Sequence, residues 1–362
     1  MKKVLHIIES LEFGGAEMVV INLANKLSDK YDVSICMTKR EGDLCSRVNA
    51  RVKLHFLDCK EGNDLTAVTK IISIIKHNNI DIVHIHNWSV YLEGVLAARL
   101  AGVEKILHTI HGSYAPPVTG FKNSIKYKTR HFIENILSIF VYRFIPVSLS
   151  IKDYLQRDFW INANKILPVH NGIAGLDRSK KINNNSAVLK LVTVGRVATI
   201  KNHTLMLNGL RKAIDAGANV TLSIVGNGPE YVSVRELATT LNLEKYVDFM
   251  GFRSDIADIL ADKDMYILTS DYEGISISLL EAMSMGLPAI ATHVGGVPET
   301  VIHNQTGLLI EKGNIDALAT AIIFMASNKN TVVSMGKEAY DFFIKEFEDN
   351  NFIRKYDEIY AR

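Results

Sequence analysis

Two glutamates eight positions apart carry the clearest chemical signal in the chain. The run Ser270-Asp271-Tyr272-Glu273-Gly274-Ile275-Ser276-Ile277-Ser278-Leu279-Leu280-Glu281-Ala282-Met283 reads as a strand end, a turn and a helix. Eight steps is a little over two helical turns, so both carboxylates would project to similar sides of a helix begun at Glu273. Glu273 lies in the turn after a strand and is expected on the loop at the helix mouth. A carboxylate there offers several lone pairs to sugar hydroxyls, and Glu281 reaches a second hydroxyl pair. The amides of Gly274, Ile275, Ser276 and Ile277, at a helix N-terminus, suit the anionic part of the same ligand. An apolar-flanked Glu281 without a partner would be costly, which weighs against two merely solvated glutamates.

Cations stand in a comparable place. Gly195-Arg196 and Lys201-Asn202 follow a strand directly, and the end of a parallel strand is where a ligand crevice lies. Arg196 and Lys201 there could neutralise charge developing on a diphosphate leaving group. The alternative is solvated loop charge. Two glycine turns also join strand to helix. In Phe13-Gly14-Gly15-Ala16-Glu17, Gly15 lets backbone approach a phosphate, although the three-glycine dinucleotide fingerprint is missing. Val225-Gly226-Asn227-Gly228-Pro229-Glu230 could shape a nucleotide site. For both, a plain structural turn is the competing reading.

Four histidines, His84, His86, His108 and His111, end two successive strands. A zinc site would want three convergent ligands at a recognisable spacing, which these do not supply. A single functional histidine is expected, His111, because Gly112 frees its loop; the others read as core or rim histidines satisfied by hydrogen bonds. Asp262-Lys263-Asp264 is a formal Asp-x-Asp, read as turn chemistry with no metal expected.

These residues require elements to hold them. Short apolar runs at 4–8, 33–37, 82–85 and 105–110 alternate with amphipathic helices at 16–27, 65–76 and 90–100, the pattern of a parallel α/β sheet. Residues 172–186, with Lys180, Lys181 and Asn183 to Asn185, have linker composition. A second series follows, with strands at 189–194, 220–225, 247–250, 265–269 and 289–292 and helices at 203–214 and 276–284. The final stretch, Glu338 to Tyr360, is aromatic-rich and reads as a helix returning to the first domain. The expected domains are residues 1–172 and 187–346, joined by 173–186, with 347–362 added to the first.

The 48 % hydrophobic and 22 % charged content excludes a disordered chain. The net charge of +2 divides into +6 over residues 1–172 and −4 over 173–362. A basic first half suits an anionic partner such as a lipid surface, a diphosphate or a nucleic acid. Cys36, Cys45 and Cys59 have no metal-ligand spacing and fit a reducing compartment. No run approaches the roughly 18 apolar residues of a membrane span, and a cytoplasmic protein is expected. Phe121 to Arg143 interleaves Lys122, Lys126, Lys128, Arg130 and Arg143 with Ile125, Tyr127, Phe132, Ile133 and Ile136. This predicts peripheral contact with an anionic membrane, with a solvated helix face as the alternative.

Taken together, these residues resemble the retaining glycosyltransferases of the GT-B fold, specifically glycosyltransferase family 4. The most specific match is the Glu-x7-Glu motif from Glu273 to Glu281. Gly286-Leu287-Pro288, Gly295-Gly296-Val297-Pro298-Glu299, Gly307-Leu308-Leu309, Asn171-Gly172 and Gly195-Arg196 extend it. The resemblance implies two Rossmann-like domains facing across a cleft, the first binding the acceptor and the second the donor. The donor would be a nucleoside-diphosphate sugar, with a UDP-sugar favoured and neither cofactor nor metal required. Arg196 and Lys201 would hold the diphosphate, joined by the Gly15 amide. Glu281 would bind the ribose, Glu273 the transferred hexose, and His111 would lie beside that sugar. Backbone around Phe252 and Arg253 would meet the base. A hexose or N-acetylhexosamine would pass, with retention, to a hydroxyl of a glycan or lipid-linked saccharide in cell-surface polysaccharide synthesis (lipopolysaccharide or capsule), at the inner face of the cytoplasmic membrane. No nucleic-acid partner is implied. A sugar-nucleotide epimerase, a phosphorylase and a non-catalytic binding module remain as alternatives. Many family members have Gly-Phe-Gly after the first glutamate; Gly274-Ile275-Ser276 departs from it, and the lost glycine narrows the loop's freedom.

Overall fold

The computed structural model describes residues 1–60, 62, 64–112, 125–181 and 186–362, and of 125–127 the backbone alone. The chain divides into two units, Met1–Asn171 with Phe352–Arg362, and Gly172–Asn351.

The first unit is built on six parallel strands: β1 (Lys3–Ile8), β2 (Asp32–Met37), β3 (Lys53–Phe56), β4 (Ile82–His86), β5 (Lys105–Ile110) and β6 (Arg143–Pro146). Their order is β3-β2-β1-β4-β5-β6. Helices α1 (Gly15–Leu27), α2 (Leu65–Asn78), α3 (Tyr91–Leu100) and α4 (Ile125–Leu137) make crossovers, a 3₁₀ turn at Asp43–Arg47 lies between β2 and β3, and α5 (Leu149–Asp158) follows β6. The central strands are buried except at Lys3, the first residue of β1, as sheets covered on both faces require. Val4, Ile7, Val83, Ile85, Ile106 and Leu107 carry the core.

The second unit repeats the plan with β7 (Leu189–Val194), β8 (Val220–Val225), β9 (Val247–Gly251), β10 (Met265–Leu268), β11 (Ala289–Thr292) and β12 (Gly307–Ile310). Their order, β12-β11-β10-β7-β8-β9, is the first unit's order again. Its helices are α6 (His203–Asp215), α7 (Tyr231–Thr240), α8 (Ile256–Ala261), α9 (Ile277–Ser284), α10 (Ile315–Ser327) and α11 (Lys329–Glu346). Leu191, Leu222, Ile267 and Ile290 from the strands meet Met206, Leu210, Leu318 and Ile322 from α6 and α10. In each unit the strand order reverses between the first and fourth strands, the place where open α/β sheets bind ligands.

Three strands escape apolar patterning. β3 is an edge strand with three of its four residues exposed, so it lacks the apolar run. β6 and β12 have four residues each. The run Ile136–Val147 is divided among the end of α4, a 3₁₀ turn at Ser138–Phe140 and β6. Among the described residues no helix is long and apolar enough to cross a membrane. The expected terminal helix is two helices, α11 and α12 (Asp349–Ala361). The break occurs where the Phe347 carbonyl accepts a bond from Ile173 N at 3.0 Å and Glu348 bridges to Ile173. Only from Phe352 onward does the chain rejoin the first unit, placing the boundary five residues later than the sequence suggests.

Candidate active site

In the second unit β7 and β10 are neighbours, Met265 against Leu191 and Tyr266 against Val192. The loops leaving their C-terminal ends are therefore brought side by side, and hydrogen bonds join them. Thr269 Oγ1 donates to the carbonyls of Lys201 at 3.1 Å and Asn202 at 3.0 Å. Asp271 N donates to Ile200 O at 2.8 Å. Asn202, at φ +47°, caps α6 by accepting from Leu205 N at 3.0 Å and donates to Asp271 Oδ1 at 3.1 Å. Asparagine tolerates this left-handed backbone better than most residues.

The consequence is a lysine held on a glutamate. Lys201 Nζ lies 3.1 and 3.0 Å from the two Glu273 carboxylate oxygens. Their side chains are 21 % and 14 % exposed, so the pair is largely withdrawn from water and its partners are worth more to each other than a surface pair. Glu273 stands on the loop before α9, and Glu281 lies within α9, half-buried. The Glu273 carbonyl accepts Gly296 N at 3.0 Å, and a Cβ at Gly295 would come 1.9 Å from that carbonyl oxygen. Gly295-Gly296 thus lets a second loop press against the Glu273 backbone. Gly226 has the same function between the first two strands: it adopts φ +134°, and a Cβ there would lie 1.9 Å from Gly195 O.

The mouth of α9 is tied down by hydroxyls. Tyr266 OH donates to Val194 O at 3.0 Å and lies 2.7 Å from Ser278 Oγ, which is 3.3 Å from Ser276 Oγ. Burial holds the Tyr266 phenol well above its ordinary range, and the charges of Glu273 and Glu281 add to this. Gly274, Ile275 and Ser276 are buried. Ser276 sits at φ −75°, an ordinary backbone region, so the serine is accommodated without the freedom a glycine would bring.

Arg196 is exposed and makes no ion pair among the described residues. Phe252 and Arg253 follow β9; Phe252 is exposed, and Arg253 is bound to Asp255, with Nε 2.8 Å from Oδ1. Thr193, Gly195, Lys201, His203 and Thr269 line a shallow recess. Asp262 and Asp264 lie at the opposite end of the strands, where Lys190 Nζ pairs with Asp262 at 2.7 Å and Lys190 N donates to Asp264 at 2.8 Å. Thr269, Asn202, Asp271 and Tyr266 are supporting residues that sequence reasoning missed. So is His203, whose imidazole burial lowers to about 4.

In the first unit His6, His84, His86 and His111 gather on one face of the sheet. His6 pairs with His84 across β1 and β4, and His86 with Thr109 across β4 and β5. His84 is fully engaged: Nδ1 lies 2.6 Å from Tyr360 OH and Nε2 2.7 Å from Thr109 Oγ1. His6 Nδ1 lies 2.9 Å from His86 Nε2, and His86 Nδ1 3.2 Å from His111 Nε2. Ring nitrogens of His6, His84 and His86 approach within 4.8 Å of one another, the convergence that spacing did not reveal. Both His84 nitrogens are already committed to hydroxyls, which removes it as a free donor. His108 faces the other side, against Trp88 and Tyr91. Burial lowers His6, His108 and His111 to about 3, and His84 and His86 well below the usual range, with neighbouring histidines adding to the last two. Satisfied hydrogen bonding holds for His84; His6 Nε2, His108 Nδ1 and His111 Nδ1 are buried without a partner among the described residues.

Gly15 opens α1 after Gly14, with no side-chain cap. Of the basic stretch, Phe121 and Lys122 and the side chains of Ile125, Lys126 and Tyr127 lie outside the described residues. Asn183 to Asn185 of the expected linker do so too. Arg130 is taken up by Glu134 at 2.8 Å and by Trp88 O at 3.0 Å, so it is not a free surface cation.

Two family models match, glycosyltransferase family 4 over residues 13–174 and glycosyl transferases group 1 over residues 177–342. The chain belongs to the family 4 glycosyltransferases, enzymes of the GT-B fold. It is 26 % identical to the N-acetyl-alpha-D-glucosaminyl L-malate synthase of Bacillus anthracis, over 82 % of this chain and 78 % of that protein. It is 26 % identical to the UDP-Gal:alpha-D-GlcNAc-diphosphoundecaprenol alpha-1,3-galactosyltransferase of Escherichia coli, over 92 % and 88 %. Anabaena Alr3699/HepE, crystallised with UDP and glucose, superposes with a TM-score of 0.84 at 20 % identity, all of both chains being covered.

Proposed function

We propose that the chain transfers a hexose or N-acetylhexosamine from a UDP-sugar to a hydroxyl of a glycan or lipid-linked saccharide, with retention of anomeric configuration. The observation carrying this reading is the Lys201–Glu273 pair, fixed at the strand-order reversal of the second unit. A cation beside a hydroxyl-binding carboxylate is what a glycosyl diphosphate presents itself to. Arg196 and Lys201 take the diphosphate, Glu281 the ribose, Glu273 the hexose. The amides of Gly274 to Ile277 face the anionic portion, and the loops at Gly226 and at Phe252 and Arg253 form the base end. Gly15 and His111, in the first unit, enter through the family resemblance, as diphosphate and sugar contacts. UDP as the nucleotide is supported by the names of the Escherichia coli relative and the Anabaena neighbour.

In the proposed reaction the bond from the anomeric carbon to the diphosphate oxygen breaks, and the acceptor oxygen bonds to that carbon on the same face. The acceptor proton passes to the departing phosphate oxygen, and the nucleoside diphosphate leaves. Lys201 and Arg196 stabilise its charge as it develops. Product NMR is expected to show retention, and an inverted product would overturn this route.

A role at a membrane carrying the acceptor, in cell-surface polysaccharide synthesis, is supported by exposed Phe132, Ile136, Ile139 and Trp160 in the first unit. Arg99 and Arg143 lie over the neighbouring Phe140 and Tyr142 rings, joining cations to apolar surface as anionic interfaces favour. Co-sedimentation with anionic vesicles, weakened by salt and by Arg143→Glu, is the expected result; sedimentation indifferent to both would contradict it.

A further inference from the structure

The histidines of the first unit form a chain with a direction. His6, His86 and His111 are linked end to end by two nitrogen contacts. The rings are within 19° and 25° of parallel. In both pairs the centroid separation exceeds the nitrogen contact by two ring radii, 5.2 against 2.9 Å and 5.5 against 3.2 Å. The bonded nitrogens therefore lie on the line joining the rings, the alignment a strong N–H···N bond requires.

A neutral imidazole carries one proton, so one nitrogen donates and the other accepts. Burial keeps all three rings neutral, His6 and His111 held to about 3 and His86 well below its usual range. Two self-consistent arrangements follow. In one, every N–H points toward His6, whose Nε2–H is left over, and His111 Nδ1 is a bare lone pair. In the other, every N–H points toward His111, which carries its proton on Nδ1, and His6 Nε2 is the bare lone pair. Each leaves one donor unmatched, and a buried unmatched N–H is the rarer and costlier orphan. His6 is in mid-strand with 0 % exposure and no partner for Nε2 among the described residues. His111 Nδ1 is covered too, but His111 stands just past the C-terminal end of β5 and is half-buried as a residue, so this end of the histidine chain, and not mid-strand His6, is the one that a ligand acceptor can reach.

We infer that His6 and His86 are positioning residues that hold His111 in its Nδ1–H tautomer, so that His111 meets its ligand as a hydrogen-bond donor. The ligand group it fits is a lone-pair oxygen, a sugar hydroxyl or carbonyl. A base at this position would need the opposite tautomer. The tautomer is a property of the first unit alone; its consequence for turnover rests on the proposed contact of His111 with the transferred sugar.

The test is long-range proton–nitrogen correlation NMR on the full chain labelled with nitrogen-15 histidine, His111 being assigned with His111→Gln. His111 is expected to show a protonated Nδ1 and a bare Nε2. A protonated Nε2, or a ring averaging between the two forms, would overturn the inference. His86→Leu severs the chain: His111 is expected to average between tautomers, with kcat down about tenfold, the scale of one hydrogen bond, and donor KM within about twofold. His86→Asn, which keeps an amide N–H near the former Nδ1, is expected to restore most of kcat; failure to do so while the fold persists would contradict the donor role. Should His111→Gln keep full activity, the assigned sugar contact fails, while the NMR result still decides the tautomer.

Discussion

The two units share one strand order and place opposite chemistry at the ends of their strands. In the second, a lysine and a glutamate form an ion pair largely withdrawn from water. In the first, five histidines are held neutral by burial. The topology supplies the same crevice edge twice, and side chains alone decide whether it offers charge or directed hydrogen bonds. Charge suits the part of a donor that becomes more anionic during transfer; neutral donors and acceptors suit hydroxyls, which do not.

Acid should separate the units most sharply. A histidine held near 3 in the fold takes up its proton near 6.5 when unfolded. Between those values the unfolded state binds more protons, so stability is intact above about 6.5 and falls as pH drops toward 3, by ~1.4 kcal/mol per pH unit for each such group. Five histidines in the first unit against His203 in the second predict that the first opens first. Hydrogen exchange on the full chain at pH 7 and pH 5 should show β1, β4 and β5 losing protection before β7 and β10. The reverse order would break the comparison.

On the charged side, Gly295→Ala forces a Cβ against the Glu273 carbonyl from a backbone at φ +52°. A stability loss of roughly 1–3 kcal/mol is expected, with weakened donor binding; calorimetry and donor titration check both. His86→Leu, expected to reduce kcat about tenfold, tests the neutral side. Ser276→Gly should have the smallest effect, less than ~1 kcal/mol and less than about twofold in turnover, since Ser276 is unstrained. A several-fold gain would mean that the serine restrains the loop.

Much of this was legible in sequence because it is local. Glu273 and Glu281 share one strand–turn–helix, and the long buried strands announce themselves by apolar runs. The Lys201–Glu273 bond joins residues 72 apart, and His6 meets His86 across 80. No spacing rule links them; the pairing of β7 with β10 and of β1 with β4 does. His6, a single histidine inside an apolar strand, gives no signal until its neighbour strand is known. The Gly295-Gly296 pair is visible as a motif, yet its reason, close passage past the Glu273 carbonyl, lies in a contact between loops that only the fold brings together.

The central claim is that Lys201, held on Glu273, stabilises a departing nucleoside diphosphate. Release of nucleotide from UDP-, GDP- and ADP-sugars by the intact chain, beside Lys201→Ala, tests it most directly. The account predicts release from a UDP-sugar and a fall of roughly 10²- to 10³-fold in the variant, with its circular dichroism unchanged. Undiminished release by Lys201→Ala would contradict it.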